Sequence, residues 1–575
     1  MYYKKRAKTR DVSDTSRQKF VLIIFMILFV VIVARLFYLQ IIERHIYLSK
    51  AKAQHEFSHG LQPKRGEIFL TGENNIKYPI AMNKAYLLLY AIPVSIKDAS
   101  STSQILSEIL NVDRDTIFQR LSKENDIYEP IKSKLTDEEI QKVKDLNIEG
   151  LDFIKEIYRF YPDSELGSQL TGFVGYNNKD EIVGNYGLEG YWENELRGKG
   201  TTLKGEKDAY GNFITIGDLE IQDVEDGSDL YLTIDQSIQH FSCRAIKDGV
   251  KEFSAVSGSV VVVNPKNGDI LAMCNYPGFD PNNYAKSDPK NYVNDIIFTP
   301  YEPGSVFKAI TIAMGLDLEL INPETTYTDT GEVKVDGYTI KNSDGKSNGV
   351  QTMIEVLNKS LNTGSSFVAN LVGRERFANY VKNFGFGSNT GIELNTELPG
   401  NIANLDKKGK VFLTTASFGQ GFTATPIQLA MAYSSLANGG YLYKPRIVKK
   451  IVYSDGTQEE IPTLMKKKVI SENTSKKITA MLVSVVESGH SKSVKMDHYY
   501  VAGKTGTAQV AQGGVYLKNR AIHTFTGYGP SRDPRFVIVV KYDSPKREWA
   551  ESTSARTFKK ISEFIVDYYK LTPER

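Results

Sequence analysis

Residues 234–275 read IDQSIQHFSCRAIKDGVKEFSAVSGSVVVVNPKNGDILAMCN, and three elements follow one another within them. Ile234–Phe253 has the three- and four-residue apolar spacing of an amphipathic helix. Gly258-Ser-Val-Val-Val-Val-Asn264 and Asp269-Ile-Leu-Ala-Met-Cys-Asn275 are β-rich runs either side of a Pro265-Lys-Asn-Gly268 turn. That pairing predicts a β-hairpin central in a sheet. Three further β-rich runs come much later, at Tyr499–Val510, His523–Tyr528 and Arg535–Tyr542, and a helical segment, Ser554–Tyr569, closes the chain. A helix, a hairpin, intervening helices, three strands and a last helix predict an α+β domain, its central antiparallel sheet covered by helices.

Outward from that stretch the chain changes character at turn-rich Gln222-Asp-Val-Glu-Asp-Gly-Ser228. With 575 residues it is too long for one core, and two to four domains are expected. The boundaries read as residues 1–19, a basic tail; 20–42, a membrane span; 43–227, a mixed region with helices at Ser101–Leu110 and Thr136–Leu146; and 228–575, the sheet domain. Hydrophobic residues at 41% and charged residues at 24% exclude disordered and collagenous classes.

The net charge of +3 is unevenly placed: residues 1–19 carry +5, leaving a mildly acidic body with no footprint for nucleic acid. Phe20–Leu39 follows, twenty residues with Arg35 the one charge, enough to cross the roughly 30 Å hydrocarbon core. The basic flank predicts a cytoplasmic N-terminus and an extracytoplasmic remainder. A cleaved signal peptide is the rival, with Ala51-Lys52-Ala53 as its site, but the run is too long and Glu43, Arg44 and Lys50 intervene. Of the two cysteines, Cys243 and Cys274, spacing shows no pairing, and we read both as small buried hydrophobes.

A Ser-x-x-Lys pair places a hydroxyl and an amine on one helix face, where the amine can act as base. The pattern occurs at Ser16/Lys19, Ser49/Lys52, Ser287/Lys290, Ser305/Lys308 and Ser343/Lys346. The first two lie beside the membrane, and Ser287-Asp-Pro-Lys290 and Ser343-Asp-Gly-Lys346 contain helix breakers. Ser305-Val-Phe-Lys308 follows Pro303-Gly304 and opens a helix through Ile310, Ile312 and Met314, so the serine sits where free N–H groups favour developing negative charge. Ser360-Leu-Asn362 is a second candidate, near the end of a helix capped by Thr352 and Glu355; Ser471-Glu-Asn473 competes but reads as a helix cap. Lys504-Thr-Gly-Thr507 is the third: a lysine and two hydroxyls inside a β-rich run can hold a carboxylate, and the glycine lets a substrate backbone lie along the strand. His55-Glu-Phe-Ser-His59 matches the zinc-protease pattern, but its polar juxtamembrane setting and distance from His240 argue against zinc; no metal and no cofactor are expected.

Taken in order, Ser305-x-x-Lys308, Ser360-x-Asn362 and Lys504-Thr-Gly-Thr507 resemble the motifs of the penicillin-recognising serine enzymes. Tyr301-Glu-Pro-Gly304, Ser417-Phe-Gly-Gln-Gly421 with Pro426-Ile-Gln428, and Ala502–Gln509 narrow the resemblance to class B penicillin-binding proteins, nearer their division and sporulation branch. The resemblance extends upstream, through Arg65-Gly-Glu67, Arg159 with Tyr161-Pro162, Gly172 and Gly187-Leu-Glu-Gly190, to that family's elongated pedestal, or dimerisation-type, domain. Departures stand at Leu70-Thr-Gly-Glu73, at Ser488-Gly-His490 where the family usually has Gly-Thr-Gly, and at Leu361.

The resemblance implies a peptidoglycan DD-transpeptidase without cofactor. Ser305 attacks the penultimate D-Ala of a stem peptide and neutral Lys308 takes its proton, held by Asn362 and Ser360. Ser360 and Lys504 serve the departing D-Ala, and the Ser305 and Thr507 N–H groups form the oxyanion hole. Thr505 and Thr507, with Gly506 between them, bind the terminal carboxylate. Implied partners are stem peptides and lipid-linked nascent strands, β-lactams, the membrane, and divisome or sporulation proteins. With no polymerase domain apparent, a SEDS-family glycosyltransferase is implied too, touching the Phe20–Leu39 helix and the pedestal near Arg65 and Glu189. A β-lactamase would lack the pedestal, and a signalling receptor would need several spans. A penicillin-binding scaffold whose catalysis is dispensable is the non-enzyme alternative.

Overall fold

The computed structural model describes residues 14–42, 44, 63–72, 76–123, 126–179, 181–200, 224–512 and 515–575. The His55–His59 segment lies outside these residues. Near the N-terminus a helix, Asp14–Phe37, runs on into a wider turn, Tyr38–Ile42, and its Lys19–Ile41 portion is long and apolar enough to cross a membrane.

Beyond it the chain forms two compact units that do not follow sequence order. The smaller comprises Lys84–Tyr158; the larger gathers Pro63–Asn83, Arg159–Lys199 and Val224–Arg575. In the smaller unit Leu89–Ala91 pairs antiparallel with Glu129–Lys132. Helices Ala99–Leu110, Arg114–Leu121 and Asp137–Asp145 complete it, their cores meeting at Leu106, Leu110, Ile117, Leu121 and Val143. Local chemistry starts each helix: Asp98, Asp113 and Thr136 cap free backbone N–H groups, and Glu139 closes a capping box on Thr136.

The sheet of the larger unit bears out the α+β expectation. Its order is Ala502–Gln512, Val515–Gly529, Phe536–Asp543, Ser257–Val263, Ile270–Tyr276, and every neighbouring pair is antiparallel. The unbroken valine run is explained by two-sided burial. Val260 and Val262 face a core built with Ile246, Val250, Phe558 and Ile561 from helices Gln236–Phe253 and Ser554–Tyr568. Val261 and Val263 face the other core, with Ile310, Met314, Leu429 and Tyr433. An antiparallel strand covered on both faces loses its polar alternation, and each buried valine contributes about 1.5–3 kcal/mol.

Three details depart from the sequence reading. Ile234 and Asp235 end a strand, Asp229–Asp235, and the helix begins at Gln236, with the Asp235 carboxylate accepting from the N–H groups of Ser237 and Ile238. The second late strand starts at Val515 rather than His523, because the hairpin keeps pairing out to Gln512 and Val515. Cys243 and Cys274 are not two free buried hydrophobes but a disulfide between helix and edge strand. Both periodicities point the cysteines into one core, bringing their Cα atoms to 5.2 Å, within bridging range.

Beside this sheet, Ile68–Thr71 pairs antiparallel with the start of Lys77–Ala91 and parallel with Asp229–Asp235, which also pairs with Val448–Val452. The conspicuous charge in this region is buried. The fully buried Glu189 carboxylate takes the Nε of Arg65 and the Nε of Arg159, each at 2.6 Å, and Arg65 also reaches Glu193. Burial alone would push the Glu189 carboxyl up; the two guanidiniums outweigh it and hold it below the usual carboxylate range. Glu189 therefore offers no surface of its own to another protein.

Candidate active site

Pro303-Gly304 turns the chain into one 3-10 turn, Gly304–Phe307, which continues as the α-helix Lys308–Asp317. Every residue from Lys308 to Leu316 is buried, so this helix is apolar all round and its one lysine is carried into the core. Ser305, in the opening turn, stays half-buried. The turn is fastened from three directions. The Gly304 N–H donates to the Gly419 carbonyl at 2.9 Å, the Gly421 N–H donates to Glu302 Oε1 at 2.9 Å, and the Tyr433 hydroxyl donates to the Val306 carbonyl at 2.6 Å. Gly419 has φ +80°, and a Cβ there would lie 2.2 Å from the Gly304 carbonyl oxygen, so only glycine fits. Ser417–Gly421 thus acts as a buckle for the nucleophile turn.

The second motif sits where sequence periodicity does not put it. The capped helix runs only from Met353 to Asn358, and a new helix starts at Asn362. Ser360 lies in the break with φ +56°, a left-handed conformation uncommon for a side-chain-bearing residue. The turn presents both oxygens of Ser360 to one target. The Lys308 amine donates to the Ser360 carbonyl and, at 3.1 Å, to its hydroxyl. The Asn362 amide instead donates to the Lys341 carbonyl at 2.8 Å, while the Asn362 N–H donates to Asn342 Oδ1 at 2.9 Å. A buried brace that sequence reasoning missed stands behind this break: Asp329 accepts from the Thr363 hydroxyl at 2.7 Å and from Asn342 Nδ2. An isolated Asp beside turn residues was the only available signal.

The third motif lies on the Ala502–Gln512 strand, one edge of the sheet. A Cβ on Gly506 would stand 3.0 Å from the Pro303 carbonyl oxygen and 3.1 Å from a Val306 methyl, so the strand and the Ser305 turn meet there. Lys504 is fully buried and its amine reaches the Thr505 carbonyl at 3.3 Å. Thr505 and Thr507 are half-buried, and Thr507 Oγ1 accepts the Ala550 N–H at 3.3 Å.

Two fully buried amines dominate the electrostatics. Burial, then the charge of Lys504, holds Lys308 well below its ordinary value, and burial brings Lys504 down to about 7. Lys308 is therefore shifted toward the free amine, the form able to accept a proton, beside a serine hydroxyl, while Lys504 is poised between charged and neutral at neutral pH. Among the other Ser-x-x-Lys pairs, Pro289 starts a separate short turn after Ser287, and Ser343 and Lys346 lie between the strands Tyr338–Lys341 and Gly349–Thr352. Among the described residues no group of three acidic, histidine or cysteine side chains could hold a metal ion.

The chain is similar to known proteins over most of its length. Residues 258–563 match the family model of the penicillin binding protein transpeptidase domain, and residues 61–232 that of the penicillin-binding protein dimerisation domain. Stage V sporulation protein D of Bacillus subtilis is 34% identical over 94% of this chain and 83% of its own length. A peptidoglycan D,D-transpeptidase FtsI homolog of Mesostigma viride is 28% identical over 94% of both chains. In fold the chain is similar to penicillin binding protein 3 of Mycobacterium tuberculosis complexed with aztreonam, with a TM-score of 0.69 and 24% identity, over 89% of this chain and 98% of that one. Penicillin Binding Protein 2X of Streptococcus thermophilus gives 0.73 at 22% identity, over 89% and 80%.

Proposed function

The chain belongs to the class B penicillin-binding proteins, peptidoglycan D,D-transpeptidases of serine type, and from that premise we propose that it works through a covalent acyl-enzyme on Ser305. The observation that carries this reading is the Lys308 amine, fully buried, held below its usual pKa and aimed at Ser360 one helical turn from Ser305. Lys308 takes the Ser305 proton as Oγ attacks the penultimate D-Ala carbonyl of a donor stem peptide. The Ser305 and Thr507 N–H groups receive the oxyanion, each donor contributing about 3–4 kcal/mol in comparable sites. The Ser360 hydroxyl, bonded to Lys308, returns the proton to the leaving D-Ala, and Thr505, Thr507 and Lys504 bind the donor carboxylate. Asn362 fixes the start of its helix through Lys341 and Asn342 and so holds the Ser360 turn in place. An amine of a second stem peptide then takes the acyl group. β-Lactams, which mimic the donor, acylate the same oxygen.

On the same premise the Lys19–Ile41 helix is a membrane anchor, with the basic tail inside and the catalytic domain outside. The reading pairs the chain with a SEDS-family polymerase that supplies nascent strands. Labelling by fluorescent penicillin with the adduct mapped to Ser305 tests the acyl-enzyme. An adduct on another residue, or none, would leave the scaffold reading in its place.

A further inference from the structure

The strand beside the Lys504–Thr507 motif carries a histidine that the mechanism above does not use. His523 pairs directly with Thr507 across the antiparallel ladder, so the two side chains leave the sheet on the same face. It is fully buried between Ile522 and Thr524, where an aliphatic side chain would pack without polar atoms to satisfy. Only one ring nitrogen is satisfied. His523 Nδ1 lies 2.9 Å from the Thr553 hydroxyl, and Nε2 has no partner. A buried histidine with an orphaned nitrogen is a poor packing choice, which points to a task for the nitrogen that is bonded.

That bond leads to Thr507. The Thr553 hydroxyl and the Thr553 N–H both reach the Ala550 carbonyl, at 3.4 and 3.2 Å, and the Ser554 hydroxyl reaches it at 3.2 Å. These contacts hold the Ala550 carbonyl, and across the Cα of the same residue the Ala550 N–H, in the preceding peptide, donates to Thr507 Oγ1 at 3.3 Å. If the Thr553 proton goes to the Ala550 carbonyl, its lone pair takes the Nδ1–H of His523, and Nε2 is left as a bare acceptor, the lesser penalty of the two tautomers. Burial pushes the imidazole down to about 4, which keeps the ring neutral and this pattern intact at neutral pH. A hydroxyl whose lone pair is occupied by a backbone N–H must aim its proton elsewhere, and half-buried Thr507 keeps an accessible side toward which to aim it.

We infer that His523 is a positioning residue which, through Thr553 and the backbone on either side of the Ala550 Cα, turns the Thr507 hydroxyl so that its proton is offered to the carboxylate of the donor peptide or β-lactam. The inference rests on the acyl-transfer reading. Its test uses the full-length chain in detergent, with second-order acylation rates measured for benzylpenicillin and for its methyl ester, which lacks the carboxylate. Loss of a well-aimed hydrogen bond to a charged group should lower the acid-to-ester rate ratio by roughly three- to tenfold in His523→Leu and in Thr553→Val. The ester rate should stay within about twofold of the parent, since its transition state lacks that bond. His523→Asn, whose amide nitrogen lies near the place of Nδ1, should restore the ratio. A purely structural His523 would slow both substrates alike. An unchanged ratio in His523→Leu and Thr553→Val, equal losses for acid and ester, or a parent protein that does not discriminate between them would overturn the inference. If His523→Leu does not fold, Thr553→Val decides alone. A parent protein that neither compound acylates would refute the acyl-transfer reading itself.

Discussion

Replacing Lys308 by methionine separates its chemistry from its packing. The side chain is fully buried, and methionine matches its length without the amine. Two effects on stability oppose each other. The Ser360 carbonyl and hydroxyl lose their donor, at about 1–3 kcal/mol for a buried acceptor left unpaired. Against this, an amine that burial and Lys504 disfavour is removed, so the net change should lie within about 2 kcal/mol either way. The rate has no such offset. A positioned general base contributes about 10²–10⁴-fold, and acylation by a chromogenic cephalosporin should fall by that factor at neutral pH. The pH profile gives the sharper signature. In the parent protein the working form is the free amine, so acylation should decline as pH falls through the lowered pKa of Lys308. In Lys308→Met the residual rate should be flat over that range. Lys308→Arg should be inactive throughout, because a guanidinium keeps its proton at any accessible pH. Stopped-flow acylation from about pH 5 to about pH 9, beside thermal melts, measures both quantities. A Lys308→Met protein that folds and acylates within threefold of the parent, or keeps its acid limb, refutes the assignment.

Three further outcomes are expected. Ser305→Ala should lose all penicillin labelling while its melting temperature stays within about 2 °C of the parent, as expected for a half-buried hydroxyl; persistent labelling would move the nucleophile elsewhere. Glu189→Gln leaves the guanidiniums of Arg65 and Arg159 without their buried counter-charge and should destabilise by about 3–5 kcal/mol. Because the Glu189 carboxyl is held below its usual range, that contribution is complete above the ordinary carboxylate pKa and fades as pH drops through the lowered one; an urea midpoint difference that grows on acidification would contradict this. The Cys243–Cys274 bridge spans 31 residues, so Cys243→Ser with Cys274→Ser should lose about 3–4 kcal/mol by chain entropy, and an unchanged denaturant midpoint would show that the bridge does not form in solution.

The parts of this molecule legible from sequence are those in which local pattern and burial coincide. The run Val260–Val263 announced a doubly covered strand because both faces demand the same residue type. Ser305 and Lys308 were readable because Pro303-Gly304 marks a helix start and an apolar stretch follows. Legibility failed where a distant contact overrides local preference. Periodicity from Thr352 predicts a helix running toward Gly364, yet the chain breaks at Ser360, because Asp329 and Asn342 hold the next helix from outside it. Glu189 looks like a surface charge until Arg65, 124 residues upstream, and Arg159 close over it. His523 gave no signal, since its meaning depends on a strand register and a loop Thr553 that pattern cannot align.

The paired lysines have a consequence for anyone selecting this protein for heat resistance. Lys504 titrates near 7 in the fold against an ordinary 10.5, so below neutrality its burial opposes folding by on the order of 5 kcal/mol. The opposition shrinks as pH climbs from 7 toward 10.5, where the unfolded chain also releases its proton. A screen for survival at high temperature should therefore enrich Lys504→Met or Lys504→Leu, and every such clone should have lost acylation. A clone that gains heat resistance at this position and keeps its acylation rate would break the link. Robustness and activity therefore pull on this one buried amine in opposite directions.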